Sequence, residues 1–497
     1  MDLNIFGFHL LGNERTALWT TPSDDEPPFL FPSGFHWGSA VAAQHVEHNQ
    51  PSDWTAFEQR VARENLSRGK PGTAEPGHIR NWTAWPEDIR TKKTDFDRQY
   101  ASDFALLREM GHNSFRFSFD WARIFPEPSN TPDAAGIEFY HAVLKSMQEN
   151  GLTPFGTLFH FATPQWFWEV KDGKRGWERS DAMEHWGRFV GVIAREFGGQ
   201  VQDWCTLNEP FVYLFNGYIE GIFPPLERRS GLPEIIEPMV ALLKAHALAY
   251  DILHEDARRR GQQTMVGITK HTRAFEPLHN WSLPDRHLAA LTEATFLWAF
   301  LDAIHTGILN IPAIFFSRHV PGLRGKQDYV GINYYGRFYV QFNLLNPASP
   351  TIHMHDPGDR SEVKSDLEWA IYPHGFYHVL TEAARRYRKP IFVLENGIAD
   401  GEANDRRRQQ FLVTHLYEMW LAMRRGDADI RGYMHWSTMD NFEWAEGFEP
   451  KFGLIEIDYR NNFARKPRPS AALYSQIISG NGISAENWNR YRHKELR

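Results

Sequence analysis

Cysteine is almost missing: the 497-residue chain carries one, Cys205, so no internal disulfide can form. That usage fits a reducing compartment. The start, Met1-Asp2-Leu3-Asn4, has neither the basic region nor the apolar core of a secretion signal, so a cytoplasmic location is expected. Cys205 sits in an apolar, strand-like run and reads as a buried packing thiol. No run reaches the ~18 apolar residues of a membrane span, so no membrane association is expected. Basic excess is also lacking. A net charge of -8 and a pI near 6.3 leave no electrostatic footprint for nucleic acid. No Gly-rich phosphate loop follows the first candidate strand, which counts against a doubly wound dinucleotide-binding sheet. Neither an internal repeat nor a low-complexity linker divides the chain, so one domain is the simplest account.

What is present is apolar and aromatic. Apolar residues make up 42% of the chain, with 18 Trp, 17 Tyr and 36 Phe, enough for a large core and a surplus of rings suited to stacking on sugars. Eight β-type runs alternate with helical periodicity: Phe35–Gly38, Ser114–Phe119, Pro154–Phe159, Asp203–Leu207, Thr264–Thr269, Tyr329–Tyr335, Pro390–Leu394 and Gly432–Trp436. Between the second and third, Thr131 is expected to cap a helix with Pro132 at its first position and Gly151 beyond its end; Ile137, Tyr140, Leu144 and Met147 form its apolar stripe. Ser180-Asp181 opens another helix, through Phe197, and further helical patterns cover about 233–260, 285–306, 375–388 and 405–424. The alternation predicts a single α/β unit, a (β/α)8 TIM barrel, over 34–480, with an irregular extension over 1–33 and a tail over 481–497. The connections 49–95 and 336–374 are long and leave strand carboxyl ends, where barrels build their sites.

Two strands end in a glutamate. Val201-Gln202-Asp203-Trp204-Cys205 leads into Thr206-Leu207-Asn208-Glu209-Pro210, and Ile391-Phe392-Val393-Leu394 leads into Glu395-Asn396-Gly397. Most glutamates are solvated surface residues. These two fall at the carboxyl ends of strands four and seven, so they face one another across a barrel mouth. Paired carboxylates there suit glycoside hydrolysis, one protonating the leaving oxygen while the other attacks the anomeric carbon or activates water.

The chain resembles the glycoside hydrolase family 1 β-glycosidases from about residue 34 to 480. Thr206–Pro210 is similar to that family's acid/base motif, and Leu394-Glu395-Asn396-Gly397 to its nucleophile motif. Phe115-Arg116-Phe117-Ser118, His160 with Pro164-Gln165, Gly331-Ile332-Asn333-Tyr334-Tyr335, and Trp436-Ser437 leading to Asp440–Gly447 follow in family order. The resemblance implies a retaining mechanism on small β-glycosides or oligosaccharides, without metal or cofactor. Glu395 would be the nucleophile, kept ionised by Arg116 and a hydrogen bond from Tyr335, and Glu209 the general acid and then base. Asn208 and Asn333 would bond near the sugar 2-hydroxyl. His160, Glu443 and Trp444 would hold other hydroxyls, Trp436 would floor the ring, and Trp369 would be the leaving-group platform.

The first strand departs from the family. His45, in Ala42-Ala43-Gln44-His45-Val46-Glu47, stands where a sugar-binding glutamine is usual, and Gln44 is one position early. Neighbouring strand positions face opposite sides, so Gln44 is no replacement without a local shift. Phe161, where many members carry Trp, is a milder change. Members acting on 6-phosphorylated sugars have serine in place of Glu443, with lysine and tyrosine following; this chain has Glu443, Pro450 and Phe452. Two rival readings are a catalytically silent barrel that binds glycans or a protein, and a metal-dependent hydrolase built on His45, Glu47 and His48. The resemblance leaves the sugar open among glucose, galactose and fucose.

Overall fold

The computed structural model describes residues 19–66, 69, 74–345 and 350–493, with the backbone of two short strands at Asn4–Ile5 and Phe8–His9. Eight strands form a closed barrel: β1 (His36–Ala40), β2 (Ser114–Ser118), β3 (Thr153–Phe159), β4 (Asp203–Asn208), β5 (Met265–Pro277), β6 (Val330–Gln341), β7 (Ile391–Asn396) and β8 (Ile430–Trp436). Each pairs in parallel with the next, and β8 returns to β1. This is the TIM barrel the alternation predicts. Parallel pairing requires a crossover after every strand, and helices supply them. They are α1 (Phe96–Glu109), α2 (Ala134–Glu149), α3 (Ala182–Phe197), α4 (Ile236–Arg260), α5 (Leu283–Thr306, widened over Ala294–Trp298), α6 (Pro373–Tyr387), α7 (Arg406–Arg425) and α8 (Pro469–Ser479).

Two layers of core follow. Inside the barrel, Phe155, Tyr329 and Phe392 meet edge to face with centroids 5.3–5.6 Å apart, bringing β3 and β7 together across the interior. Cys205 fills space beside them, and burial pushes its thiol up to about 11, which suits packing and not reactivity. Outside, helix stripes cover the strands: Tyr140, Leu144 and Met147 of α2 are buried, while Ile137 is half-buried. The α2 cap is Asp133 and not Thr131: its carboxylate accepts from Gly136 N at 2.8 Å, a charge-assisted bond at the positive end of the helix. By length and composition α5 could cross a membrane, although charged residues such as Glu293 and Asp302 interrupt it, and half of its apolar window is buried on the barrel.

Both ends of the chain contribute to the packing. Phe29–Leu30 pairs antiparallel with Gly482–Ile483, and Phe29 contacts the rings of Tyr417, Trp420 and Trp488. The connection 49–95 carries helices Asp53–Arg63 and Glu87–Lys92. The connection 336–374 is partly strand: β6 runs on past the rim, pairs with Thr351–His353, and Arg337 bridges back to Ala370 beside Trp369.

Candidate active site

The strands slip register where the glutamates lie. The breaks fall between Cys205 and Asn208 against β5, between Ile332 and Asn333 against β7, and between Val393 and Asn396 against β8. Such irregularities re-aim side chains, and the second sets Asn333 beside Glu395. Asn208 and Glu209 are consecutive, so strand alternation alone would point them to opposite faces. Glu209 instead leaves the strand in the left-handed region, φ 45° and ψ 53°, which costs a non-glycine residue roughly 1–2 kcal/mol. That turn aims both side chains inward. Pro210 then occupies the first position of helix Pro210–Leu214, so it starts a helix as well as ending the ladder. The glycine of the second motif has a similar reason: a Cβ on Gly397 would collide with the Trp436 carbonyl.

Glu395 is clamped from two sides. Arg116 Nη1 donates to Oε1 at 2.6 Å, and Tyr335 Oη donates to Oε2 at 2.6 Å. Arg116, 1% exposed, is itself held by Thr157 Oγ1, the Leu394 carbonyl and Asn208 Oδ1. Burial works against its charge, and Glu395 more than restores it.

Around Glu209 the donors converge on one oxygen. Asn333 Nδ2 reaches Oε1 at 2.7 Å, with the amide orientation fixed because Thr269 Oγ1 donates to Asn333 Oδ1. His271 Nδ1 lies 3.1 Å from the same Oε1, and Arg273 Nε donates to His271 Nε2 at 2.9 Å. Oε2 takes no hydrogen bond from the described residues and is the oxygen free to carry a proton. Burial raises both carboxyls. A charged His271 would draw Glu209 below its ordinary value and leave Glu395 pushed up, by burial first, to about 7. That charge is ruled out by geometry: Nε2 accepts from Arg273, so the ring is neutral, and burial lowers its basicity further. Glu209 therefore has dipoles in contact and the cations Lys270 and Arg273 only at a distance, whereas Glu395 faces a guanidinium in contact. The proton shared by the pair rests on Glu209, and Glu395 is the ionised partner.

Beside the pair lies a wall of unpaired polar atoms. Asn208 Nδ2 donates to His160 Nε2 at 2.9 Å, so His160 is neutral and presents its Nδ1–H, buried and unpartnered among the described residues. Glu443 Oε2 is likewise unpaired, and burial, then the charge of Glu395, pushes that carboxyl well above the usual range. Both nitrogens of His45 are orphaned as well, with the ring 4.1 Å from Trp444 and 5.4 Å from Trp436. Burial, then Lys93, keeps His45 well below its ordinary value, hence neutral. Gln44 faces away, bonded to Glu58 and Ser52. Trp369 lies edge-on to Tyr335 at 5.8 Å. The carboxyl pair, Arg116, Tyr335, Asn333, His160, His45 and the tryptophans thus form one connected set of contacts, in which Asn208 is already engaged by Arg116, Asn333 and His160.

The metal reading fails on direction. Glu47 bonds Arg123 and Tyr140, His48 bonds Asp95, and His45 turns to the tryptophans. Among the described residues no group of three or more His, Cys, Asp or Glu side chains converges as metal ligands would.

Sequence reasoning missed Thr269, His271 and Arg273. The run Lys270-His271-Thr272-Arg273 reads as the polar end of a strand, yet β5 continues to Pro277 and buries all four. Ionisable residues so dense in a barrel strand were the available signal.

A closed parallel barrel with two buried carboxyls at its carboxyl rim suits an O-glycosyl hydrolase. The chain belongs to glycosyl hydrolase family 1, whose pattern matches residues 28–483. It is 28% identical to Beta-glucosidase A of Thermotoga maritima over 479 residues, covering 91% of this chain and 98% of that protein. It is 30% identical to the furostanol glycoside 26-O-beta-glucosidase of Hellenia speciosa, over 90% of this chain and 83% of that one. Among solved structures, the beta-glycosidase from Pyrococcus horikoshii superposes with a TM-score of 0.79 at 32% identity, over 94% of this chain and 98% of that chain. The Thermotoga maritima beta-glucosidase in complex with glucoimidazole gives 0.77 at 27%, over 92% and 100%.

Proposed function

We propose that this chain is a retaining β-glycosidase that removes the non-reducing-end sugar from small β-glycosides or oligosaccharides by double displacement. The observation that carries the reading is the asymmetry of the two carboxyls: Glu395 held by Arg116 and Tyr335, Glu209 with Oε2 free. In the first step Glu395 attacks the anomeric carbon, the glycosidic bond breaks, and the proton on Glu209 Oε2 passes to the leaving oxygen. The product is a glycosyl ester on Glu395 and a free alcohol. In the second step the Glu209 carboxylate takes a proton from water as that water attacks the anomeric carbon, releasing the sugar and regenerating Glu395. The orphaned atoms of His45, His160 and Glu443 supply hydroxyl contacts, with Trp436 and Trp444 against the ring. The names of the relatives support β-glucosides as first candidates.

Proton NMR of the first-formed anomer from an aryl β-glycoside tests the reading. The β-anomer is expected first; an initial α-anomer would overturn it.

A further inference from the structure

Arg273 is a buried cation with no carboxylate in contact among the described residues. It is 2% exposed, and its Nη1 has no hydrogen-bond partner among the described residues. Its guanidinium carbon lies 4.2 Å from the ring centre of Trp369, 4.2 Å from that of Phe338 and 5.8 Å from that of Tyr335. Neighbouring carboxylates have other partners: Glu276 and Glu362 take Arg337, and Glu368 takes Lys364. Burial lowers Arg273 only to about 10, so it is charged at neutral pH. Its one polar bond goes to a neutral imidazole, and the carboxyl that acts on it through space, Glu209, lies beyond that ring. A lone buried charge is unfavourable unless something completes it.

Its place says what that is. Arg273 is tied through His271 to Glu209 and lies against Trp369, which meets Tyr335 edge-on, whereas His45 and His160 gather at Trp436 and Trp444. Building on the glycosidase reading, we infer that Arg273 recognises a carboxylate carried by the leaving group, so that the preferred substrates are β-glycosides of acidic alcohols or phenols. A guanidinium suits a carboxylate through paired donors, while its face stacks on the aromatic platform. The anion also fits the chemistry. Near Glu209 it strengthens that carboxyl's hold on its proton in the ground state, and it departs with the alcohol before Glu209 must act as base.

The test compares the β-glycoside of 4-hydroxybenzoate with that of its methyl ester, on the sugar the enzyme processes fastest. The two leaving phenols are alike in shape and differ in charge. In the wild type, kcat/KM is expected to favour the carboxylate at least tenfold over the ratio found in Arg273→Met, with Arg273→Lys between them. Any loss of acid catalysis through His271 falls on both substrates, and more on the less acidic phenol of the carboxylate, so the ratio is referred to neutral aryl glycosides spanning the same phenol acidity. Equal ratios in wild type and Arg273→Met, or a wild-type preference for the ester, would overturn the inference while leaving the glycosidase reading intact. Hydrolysis of neither compound, nor of an activated nitrophenyl glycoside, would overturn both. Should Arg273→Met not fold, product inhibition of the wild type decides: 4-hydroxybenzoate should inhibit at tenfold lower concentration than its methyl ester, and equal inhibition would sink the idea.

Discussion

Tyr335 donates to Oε2 of Glu395, the oxygen that Arg116 leaves alone, so each carboxylate oxygen has its own donor. The attacking group must be ionised, and both bonds favour that form. Tyr335→Phe removes one of them, which raises the carboxyl's proton affinity and moves the acid limb of kcat/KM to higher pH. The lost bond to a charged group, ~1.5–3 kcal/mol, corresponds to roughly a tenfold to hundredfold loss in rate. At the other carboxyl, His271→Phe removes an N–H that stabilises ionised Glu209. Glu209 then keeps its proton longer, and the basic limb moves up. Rate profiles between pH 4.5 and 9 measure both; limbs that stay in place would show that these donors do not set the two protonations.

Variants of the two glutamates should part company. Glu395→Ala abolishes turnover of every substrate, because no other group can form the ester. Glu209→Ala loses about 10²–10⁴ on poor leaving groups, the usual worth of a general acid, and little on activated aryl glycosides. Azide should restore product formation in both, with inverted configuration for Glu395→Ala and retained configuration for Glu209→Ala. If the two variants respond alike on an activated substrate, the roles are misassigned.

His45 should blur the distinction between epimers. An amide at this position could hold two hydroxyls at once, and leaving a site polar group unpaired against the wrong epimer costs roughly 1–3 kcal/mol. A neutral imidazole offers one donor and one acceptor, both unengaged by protein here. Gluco- and galacto-configured substrates should therefore react within about tenfold of each other, equivalent to ~1.4 kcal/mol. His45→Gln should widen that gap. A wild-type preference beyond about a hundredfold, unchanged in the variant, would show that His45 does not read these hydroxyls.

The barrel was legible because continuous apolar runs such as Ile391–Leu394 alternate with helical stripes such as Tyr140, Leu144 and Met147, and because both glutamates end apolar strands. Four features escaped or were misplaced for physical reasons. Register breaks such as the one at Ile332/Asn333 arise from pairing with another strand and leave no local mark in either sequence. The left-handed turn at Glu209 is imposed by the site, since glutamate has no preference for it. Strand β5 reads as ending at Thr269 because Lys270 to Arg273 are polar, yet Lys270 is buried over the ring of Phe296 and Arg273 against Trp369. In both cases aromatic faces do what water would have done, and only the tertiary fold shows them. The α2 cap was misplaced by two residues because Thr131 and Asp133 are both competent caps, and the charged one was chosen.

The pairing of β1 with β8 also sets a schedule for synthesis. His36 must wait for Gly432, its partner, which is translated 396 residues later (432 minus 36). At ~5–20 residues per second that is roughly 20–80 s. Throughout that interval the first strand has an open flank, with Trp37 among its side chains, on a nascent chain still attached to the ribosome. A strand edge so long unpaired is a site for wrong partners. A nascent-chain chaperone, or provisional cover from the helices already made, would be needed most before β8 emerges.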